Sequence, residues 1–156
     1  MMYLPISKLK DLLIVDEDDY ERLSNYTWYL RNIDRTGLKY IACWMDGKNI
    51  PIHQVVTGQK LIDHINGDTL DNRKCNLRVV TKQQNSFNAR KTRKKTSSKY
   101  KGVSWCKRRR KWIAYICKNY KLKNLGYFPD EKIAALAYNE AAKQLFGEYA
   151  HLNIIE

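Results

Sequence analysis

The stretch that decides the local fold is residues 53–88, HQVVTGQKLIDHINGDTLDNRKCNLRVVTKQQNSFN. It contains a strand candidate at 60–62, a turn-rich loop over 65–74 and a second strand candidate at 77–80. Thr81 then opens a Thr-x-x-Gln capping box, in which a hydroxyl and an amide satisfy the first free N–H groups of a helix. The segment therefore predicts two short strands, joined by a long loop, and a helix that follows them.

Hydrolysis of a phosphodiester requires a base for the attacking water and a cation near the phosphate. Three side chains of this stretch can supply the base and the ligands of the cation. Asp63 and His64 stand side by side at a strand end, and Asn85 falls on the following helix. His64 is a candidate base, and Asp63 and Asn85 are candidate metal ligands. A lone histidine is more often structural, so the prediction depends on the combination of the three.

The same residues resemble the HNH module of phage and intron-encoded homing endonucleases, in which a β-hairpin and a helix grip one metal ion. The resemblance implies that His64 activates the attacking water, and that Asn76, in the stretch CNLRVVT, bridges the loop and fixes the orientation of the histidine. It also implies that Asp63 and Asn85 hold the metal. His53 occupies a frequent family position, where contact with a phosphate and a structural role are both open.

The expected metal follows from the ligand types. Many HNH nucleases have a second histidine where this chain has Asn85. An all-oxygen pair from Asp63 and Asn85 suits the hard cations Mg²⁺ or Mn²⁺ better than Zn²⁺, which favours His and Cys. Because Asp63 is then the single charged ligand, we expect the substrate phosphate to complete the coordination sphere.

The net charge of +13 comes from one block of the chain. Residues 91–125 contain 14 Lys and Arg and no Asp or Glu, against 13 and 11 in residues 1–90 and 2 and 5 in residues 126–156. A surplus of positive charge confined to one block predicts a polyanionic partner such as a nucleic acid, because each phosphate that Lys or Arg neutralises releases counterions. A solvated or targeting charge run is the alternative, but these charges alternate with strand-forming aromatic residues.

The C-terminal third predicts a small sheet with one covering helix. Strand candidates lie at 100–106, 111–118 and 121–128. Asp130 and Glu131 suit the N-terminus of the helix that follows, and Gly147 suits its end. An apolar stripe at helical spacing is predicted to face the sheet, and its members are Ile133, Ala134, Ala137, Ala141 and Leu145.

Residues 98–153 also resemble the Apetala-two or ethylene-response-factor DNA-binding domain, through the stretches YKGV (100–103), LGYF (125–128) and AALAY (134–138). The resemblance implies that the three-stranded sheet lies in the major groove with the helix packed behind it.

Strand alternation divides this sheet into two faces, with Trp105 and Trp112 predicted in the core and Ser104 and Tyr115 on the DNA side. The DNA side is poor in arginine, so the basic residues most simply hold phosphates. The predicted DNA-binding residues are Arg93, Lys94, Lys95, Lys101, Ser104, Lys107, Arg108, Arg109, Arg110, Tyr115, Lys121 and Lys123.

The predicted class is α+β, a ββα-metal (HNH) nuclease module followed by a three-stranded antiparallel sheet packed on one helix. Within residues 1–50 we predict a helix near 16–26, strands at 27–30 and 39–44, and core positions for Trp28 and Trp44. The predicted division is 1–90 for an α+β scaffold with the HNH module (core motif 53–88), 91–98 for a basic linker, and 99–156 for the Apetala-two-type DNA-binding domain.

The cysteine pattern and the apolar runs bear on the cellular setting. The four cysteines form no Cys-x-x-Cys pair, which favours reduced thiols. No apolar run approaches the roughly 20 residues of a membrane span, and the N-terminus lacks a secretory signal pattern. We expect a cytoplasmic location, in a bacterial host cell if the chain is phage-encoded as the resemblance implies, and we favour a monomer.

Together these patterns predict a metal-dependent endonuclease of the homing type that acts on double-stranded DNA. One metal site per chain makes nicking the simpler outcome. Two alternatives remain open at this point: a catalytically inactive DNA-binding regulator, and an RNA-binding or ribosome-associated basic protein, which the charge block alone would permit.

Overall fold

The computed structural model describes residues 1–34, 36–91 and 96–155. The chain divides into two compact units, Met1–Lys82 and Gln83–Glu156. Both units combine helices with antiparallel strands, as the predicted α+β class requires. Arg93, Lys94 and Lys95 of the predicted DNA-binding set lie outside the described residues.

The N-terminal unit is built on a five-stranded sheet. Its strands are β1 (Met2–Ser7), β2 (Leu12–Val15), β3 (Trp28–Ile33), β4 (Lys39–Met45) and β5 (Lys48–Pro51). They lie in the order β2-β1-β3-β4-β5, with β1 and β3 parallel and the other pairs antiparallel. Helix α1 (Glu17–Ser24) connects β2 to β3, and helix α2 (Ile52–Thr57) follows β5. The strands β1, β2 and β5 and the helix α2 had no counterpart in the sequence prediction.

Trp28 is the largest side chain in the core of this unit. It is 1% exposed, and its indole N–H donates to the carbonyl of Leu23 at 3.0 Å. Trp44, predicted as a second core tryptophan, is 63% exposed, so that prediction is wrong. Successive side chains of a strand point to opposite faces, and on β4 it is the neighbour Cys43 that enters the core.

A two-stranded hairpin completes the N-terminal unit. It consists of β6 (Ile62–His64) and β7 (Leu77–Val79), with a short 3₁₀ turn at Lys74–Asn76 before the second strand. The prediction placed the first strand two residues early, at 60–62. The connecting loop pairs with β2, because Ile14 N–H donates to the carbonyl of Leu70 at 2.9 Å and the Ile14 carbonyl accepts from Asn72 N–H at 2.8 Å.

The C-terminal unit contains the predicted three strands and covering helix. A helix α3 (Lys82–Asn88) precedes β8 (Val103–Cys106), β9 (Lys111–Lys118), β10 (Lys121–Phe128) and α4 (Glu131–Phe146). The sheet is antiparallel in the order β10-β9-β8, and β9 and β10 have the predicted bounds. Asp130 caps α4, since its side chain accepts from the backbone N–H groups of Lys132 and Ile133.

The face of α4 that packs on the sheet includes the predicted Ala134, Ala137, Ala141 and Leu145 but not Ile133. Ile133 is 47% exposed, and the buried positions are Ala134, Ala135, Tyr138, Asn139, Ala142 and Phe146. The helix packs close to the sheet through small residues, and Tyr138 fills the space above Gly102, where an added Cβ would lie 2.0 Å from the Tyr138 ring. The prediction selected helix positions by apolar residue type, so it included Ile133 and omitted Tyr138.

Trp105 is also more exposed than predicted. It is 39% exposed and packs edge-on against Trp112, with ring centroids 5.1 Å apart. Val103 and Ala114 supply the buried centre of the sheet. Trp105 lies near the end of the short β8, at the margin of what the helix covers. The prediction that it is a core residue is wrong, and Trp112 is half-buried.

All four cysteines are free thiols. In the part of the chain that the structure describes, no helix combines the length and the apolar character needed to span a membrane.

Candidate active site

Asp63 and His64 are consecutive residues of β6, and both side chains are buried, at 7% and 6% exposure. In the hairpin, Asp63 lies opposite Arg78 and His64 lies opposite Leu77. Arg78 engages the Asp63 carboxylate with two N–H donors, at 2.8 Å from Nη2 and 3.1 Å from Nε to the same Oδ2. The carboxylate predicted to bind metal is therefore part of a buried ion pair with Arg78.

Asn72 lies in hydrogen-bond contact with His64, with its Oδ1 3.2 Å from Nε2 of the imidazole. The Nδ2 of the same amide donates to the carbonyl of Thr69 at 3.1 Å, so the amide oxygen is the atom that faces the ring. Because an amide oxygen only accepts hydrogen bonds, Nε2 carries the proton of the neutral ring. The basic nitrogen of His64 is therefore Nδ1.

His53 packs edge-on against His64, with ring centroids 5.6 Å apart and an interplanar angle of 88°. Burial lowers the pKa of His53 to about 4, and the nearby charges of His64 and Arg31 act in the same direction. Burial also lowers the pKa of His64, although the hydrogen bond with Asn72 and the neighbouring carboxylates oppose the shift. Both rings are therefore neutral at neutral pH, and His64 is able to accept a proton.

Asn76 ties the start of the loop to its end. Its Oδ1 accepts from the backbone N–H of Asn66 at 3.0 Å, and its Nδ2 donates to the carbonyl of Asp71 at 2.7 Å. Its own carbonyl accepts from Ile65 N–H at 2.9 Å. These three bonds hold the backbone on both sides of the loop that leaves His64.

The Asp71 carboxylate stabilises the same loop. It accepts from Arg73 Nε at 2.8 Å and Nη2 at 2.7 Å, and from Asn66 Nδ2 at 3.1 Å. The arginine hydrogen bonds are the largest influence and lower the pKa of Asp71 below its usual range. The carboxylate is thus held ionised by the loop and links Asn66 to Arg73 within it.

Asn85, the second predicted metal ligand, is an exposed residue of α3 and belongs to the C-terminal unit. The helix is anchored in that unit by Phe87, whose ring stacks on Phe146 with centroids 3.9 Å apart. Lys101 adds two bonds, from Nζ to the carbonyls of Phe87 at 2.7 Å and Ala89 at 2.6 Å. The helix that the prediction assigned to the nuclease module thus packs within the C-terminal unit.

The predicted metal ligands offer oxygen donors, which suit a hard cation. Asp63 supplies one carboxylate, and the amide oxygen of Asn85 would supply a neutral donor; this is the oxygen chemistry that Mg²⁺ and Mn²⁺ prefer. Within residues 1–34, 36–91 and 96–155, no group of three or more His, Cys, Asp or Glu side chains forms a metal cluster.

The predicted DNA-binding residues of the C-terminal unit occupy four different settings. Those of the β8–β9 hairpin, Lys107 to Arg110, are exposed, and the Arg109 guanidinium lies 4.4 Å from the ring centroid of Tyr127. Ser104 and Tyr115 lie on the face opposite the buried Val103 and Ala114.

The other predicted DNA-binding lysines lie elsewhere. Lys121 and Lys123 are exposed, but the register places them opposite Lys118 and Ile116, on the side of the sheet that α4 covers. Lys101 is directed to backbone carbonyls, and burial lowers its pKa to about 8. Lys101 therefore has a structural role in the C-terminal unit, which the charge pattern did not indicate.

The comparisons with known proteins point to the same stretch of chain. Residues 54–87 match the family described as HNH endonuclease. The chain is 35% identical over 150 residues to an uncharacterised HNH endonuclease of Acanthamoeba polyphaga mimivirus, over 91% of this chain and 74% of the relative. It is 34% identical over 89 residues to Protein 3.8 of Escherichia phage T7, over 57% of this chain and 72% of that protein. No solved structure gives a significant match.

Proposed function

The chain belongs to the HNH endonuclease family, and we propose that it is a divalent-metal-dependent homing-type enzyme that nicks double-stranded DNA. The observation that carries the proposal is the setting of His64. Its imidazole is buried, neutral and oriented by Asn72, with Nδ1 as the basic nitrogen. A neutral, oriented imidazole is the group that general-base catalysis requires.

In the proposed mechanism, Nδ1 of His64 takes the proton from the water that attacks the scissile phosphate. Asp63 and Asn85 are the proposed ligands of a Mg²⁺ or Mn²⁺ ion, which when bound stabilises negative charge on the phosphate and on the departing 3′ oxygen. Asn76 positions the loop that follows His64 through its bonds to Asn66 and Asp71. With one such site per chain and a monomeric protein, a single-strand cut is the expected product.

His53 is proposed to keep the surroundings of the base neutral. A second positive charge 5.6 Å from the His64 ring would oppose proton uptake, and the low pKa of His53 avoids it. Contact with a phosphate is the other proposed part for His53, and a neutral ring would make that contact as a hydrogen-bond donor only.

The C-terminal unit is proposed to be an Apetala-two-type domain that holds the enzyme on DNA. Its three strands and packed helix have the element order that this resemblance implies. The exposed basic hairpin at 107–110 is the proposed phosphate contact, with Ser104 and Tyr115 on the proposed DNA face. The proposed division of the chain remains 1–90, 91–98 and 99–156.

A DNA-binding regulator without nuclease activity is a second candidate, favoured by one observation. The Asp63 carboxylate is engaged by Arg78, and a metal ion would have to compete with that guanidinium. An inactive regulator would keep the ion pair permanently, whereas the proposed nuclease releases or shares the carboxylate when metal and DNA phosphate arrive together.

The two candidates are separated by incubating supercoiled plasmid with the full chain and Mg²⁺, beside an EDTA control and the variants His64→Ala and His151→Ala. His151 lies in the other unit and serves as the matched histidine control. Nicking by wild type and His151→Ala, and not by His64→Ala or with EDTA, supports the proposed nuclease. Binding of DNA by every protein with cleavage by none supports the regulator, and preferential binding of structured RNA at matched salt favours the RNA-binding alternative.

Metal affinity provides an independent check of the ligand assignment. Asp63 is the single charged ligand in the proposed set, so the free protein should bind Mg²⁺ or Mn²⁺ weakly and DNA should strengthen the binding. Titration calorimetry with and without a non-cleavable duplex measures both. Tight metal binding by the free protein would contradict the assignment of Asp63 and Asn85.

A further inference from the structure

We propose that Asn72 is the positioning residue of the catalytic base, because it fixes both the tautomer and the orientation of the His64 ring. The proposal rests on the proposed function for what His64 does, but the contact itself belongs to the fold. From the sequence alone, Asp71-Asn72 is a pattern common in turns and indicates only that Asn72 shapes the loop.

The Asn72 side chain has one possible orientation in its pocket. The residue is 1% exposed, so solvent does not compete for its polar atoms. Its Nδ2 donates to the Thr69 carbonyl, and its Oδ1 faces Nε2 of His64. Rotation of the amide by 180° would bring its oxygen against the Thr69 carbonyl, and two acceptors would then face each other without a proton between them.

This orientation selects one tautomer of His64. With the proton on Nε2, the ring donates to Asn72 Oδ1. With the proton on Nδ1, the Nε2 lone pair would face the same oxygen, and the buried acceptor would lose its partner. The lone pair of the neutral ring is therefore kept on Nδ1, the nitrogen that the proposed mechanism uses.

The position of Asn72 is set by the main sheet and not by the loop alone. Its backbone N–H donates to the Ile14 carbonyl at 2.8 Å, and Ile14 N–H donates back to the Leu70 carbonyl at 2.9 Å. Ile14 stands in β2 between Leu13 and Val15, both of which are fully buried. The five-stranded sheet thus holds Asn72, and through it the ring of His64, which gives residues 1–50 a part in the catalytic site.

The test uses the full chain with ¹⁵N-labelled histidine and reads the state of the His64 ring by NMR. In wild type we expect one neutral tautomer with the proton on Nε2, slow exchange of that proton with water, and a nuclear Overhauser contact to Asn72 Hδ2. In Asn72→Leu, which has the same branching without an acceptor, the proton should exchange at least tenfold faster and both tautomers should appear. Asn72→Asp keeps an acceptor oxygen for Nε2 and should keep the protected Nε2 proton. It loses the donor to the Thr69 carbonyl and places a second acceptor there, so it should be less stable than wild type.

Cleavage rates complete the test. Asn72→Leu should lower the single-turnover rate about 10- to 100-fold with unchanged DNA affinity, while Asn72→Asp should recover most of the loss. Asn66→Ala is the matched control, since Asn66 bonds to Asp68 and Asp71 in the same loop; it should leave the His64 tautomer unchanged.

Three results would overturn the proposal: a wild-type ring with its proton on Nδ1, a protected Nε2 proton that persists in Asn72→Leu, or the same exchange and tautomer change in Asn66→Ala. The wild-type spectrum decides the first of these even if Asn72→Leu fails to fold. A wild type that shows the expected ring and cuts no DNA would refute the proposed function and leave this inference standing.

Discussion

The Asp63–Arg78 ion pair offers a way to separate stability from chemistry. Both side chains are almost buried, at 8% and 13% exposure, and Arg78 places two N–H donors on one carboxylate oxygen. Asp63→Asn would remove the counter-charge that Asp63 provides to the buried guanidinium, which costs about 3 kcal/mol in the free energy of unfolding. Replacing both partners, as Asp63→Asn with Arg78→Met, removes the uncompensated charge and should recover about 2 kcal/mol of that loss.

The assay combines urea unfolding of the N-terminal unit, followed by the NMR signal of the His64 ring, with plasmid nicking in Mg²⁺. The double variant should be nearly as stable as wild type and should still cut no DNA, because the proposed charged metal ligand is gone. Arg78→Met alone completes the double-mutant cycle. An Asp63→Asn variant that loses less than about 1 kcal/mol, or a double variant that nicks plasmid at the wild-type rate, would refute this reasoning.

Three further predictions follow from the contacts described above. The pKa of His53 is about 4 in the folded protein and about 6.5 unfolded. The contribution of this shift to the free energy of unfolding is therefore complete above pH 6.5, and about 2 kcal/mol of it is lost between pH 7 and pH 5. Urea unfolding across this pH range measures the loss, and His53→Gln should flatten the dependence of stability on pH. Gly102→Ala places a Cβ 2.0 Å from the Tyr138 ring, at a backbone φ of +72°. It should lower the free energy of unfolding of the C-terminal unit by more than about 2 kcal/mol. An unchanged melting temperature would contradict the packing of Tyr138 on Gly102. Arg108→Ala should reduce the slope of log K for DNA binding against log salt concentration by about 0.9. Lys101→Met should leave this slope unchanged, because Nζ of Lys101 is bound to backbone carbonyls. Equal slopes for the two variants would count against Arg108 as a phosphate contact.

The sequence predicted best where local signals agree. The strands 111–118 and 121–128 have the observed bounds because alternating side chains flank a tight two-residue turn, in which Asn119 and Tyr120 both have positive φ. The pair Asp63 and His64 was found because two reactive side chains stand together in a motif of fixed spacing. Both kinds of signal are contained within a few consecutive residues.

What the sequence did not reveal depends on contacts between distant segments. Nothing in the turn around Asn72 indicates that its amide faces His64, since that contact exists because β2 holds the loop through Ile14. Trp44 looked like a core residue by type, but its position on β4 turns it to solvent. Phe87 was part of a helix assigned to the nuclease module, and its stacking partner, Phe146, lies at the far end of the chain.

The central claim is that His64 is the general base, and the most direct measurement of it is the single-turnover rate of DNA cleavage by wild type and His64→Ala at matched DNA saturation and Mg²⁺ concentration. Loss of a positioned base should lower the rate by about 10²- to 10⁴-fold with DNA affinity unchanged. Removing the buried imidazole also leaves Asn72 Oδ1 without its partner, so the rates are compared at a temperature where both proteins are folded. A His64→Ala variant that cleaves within about threefold of wild type would contradict the account.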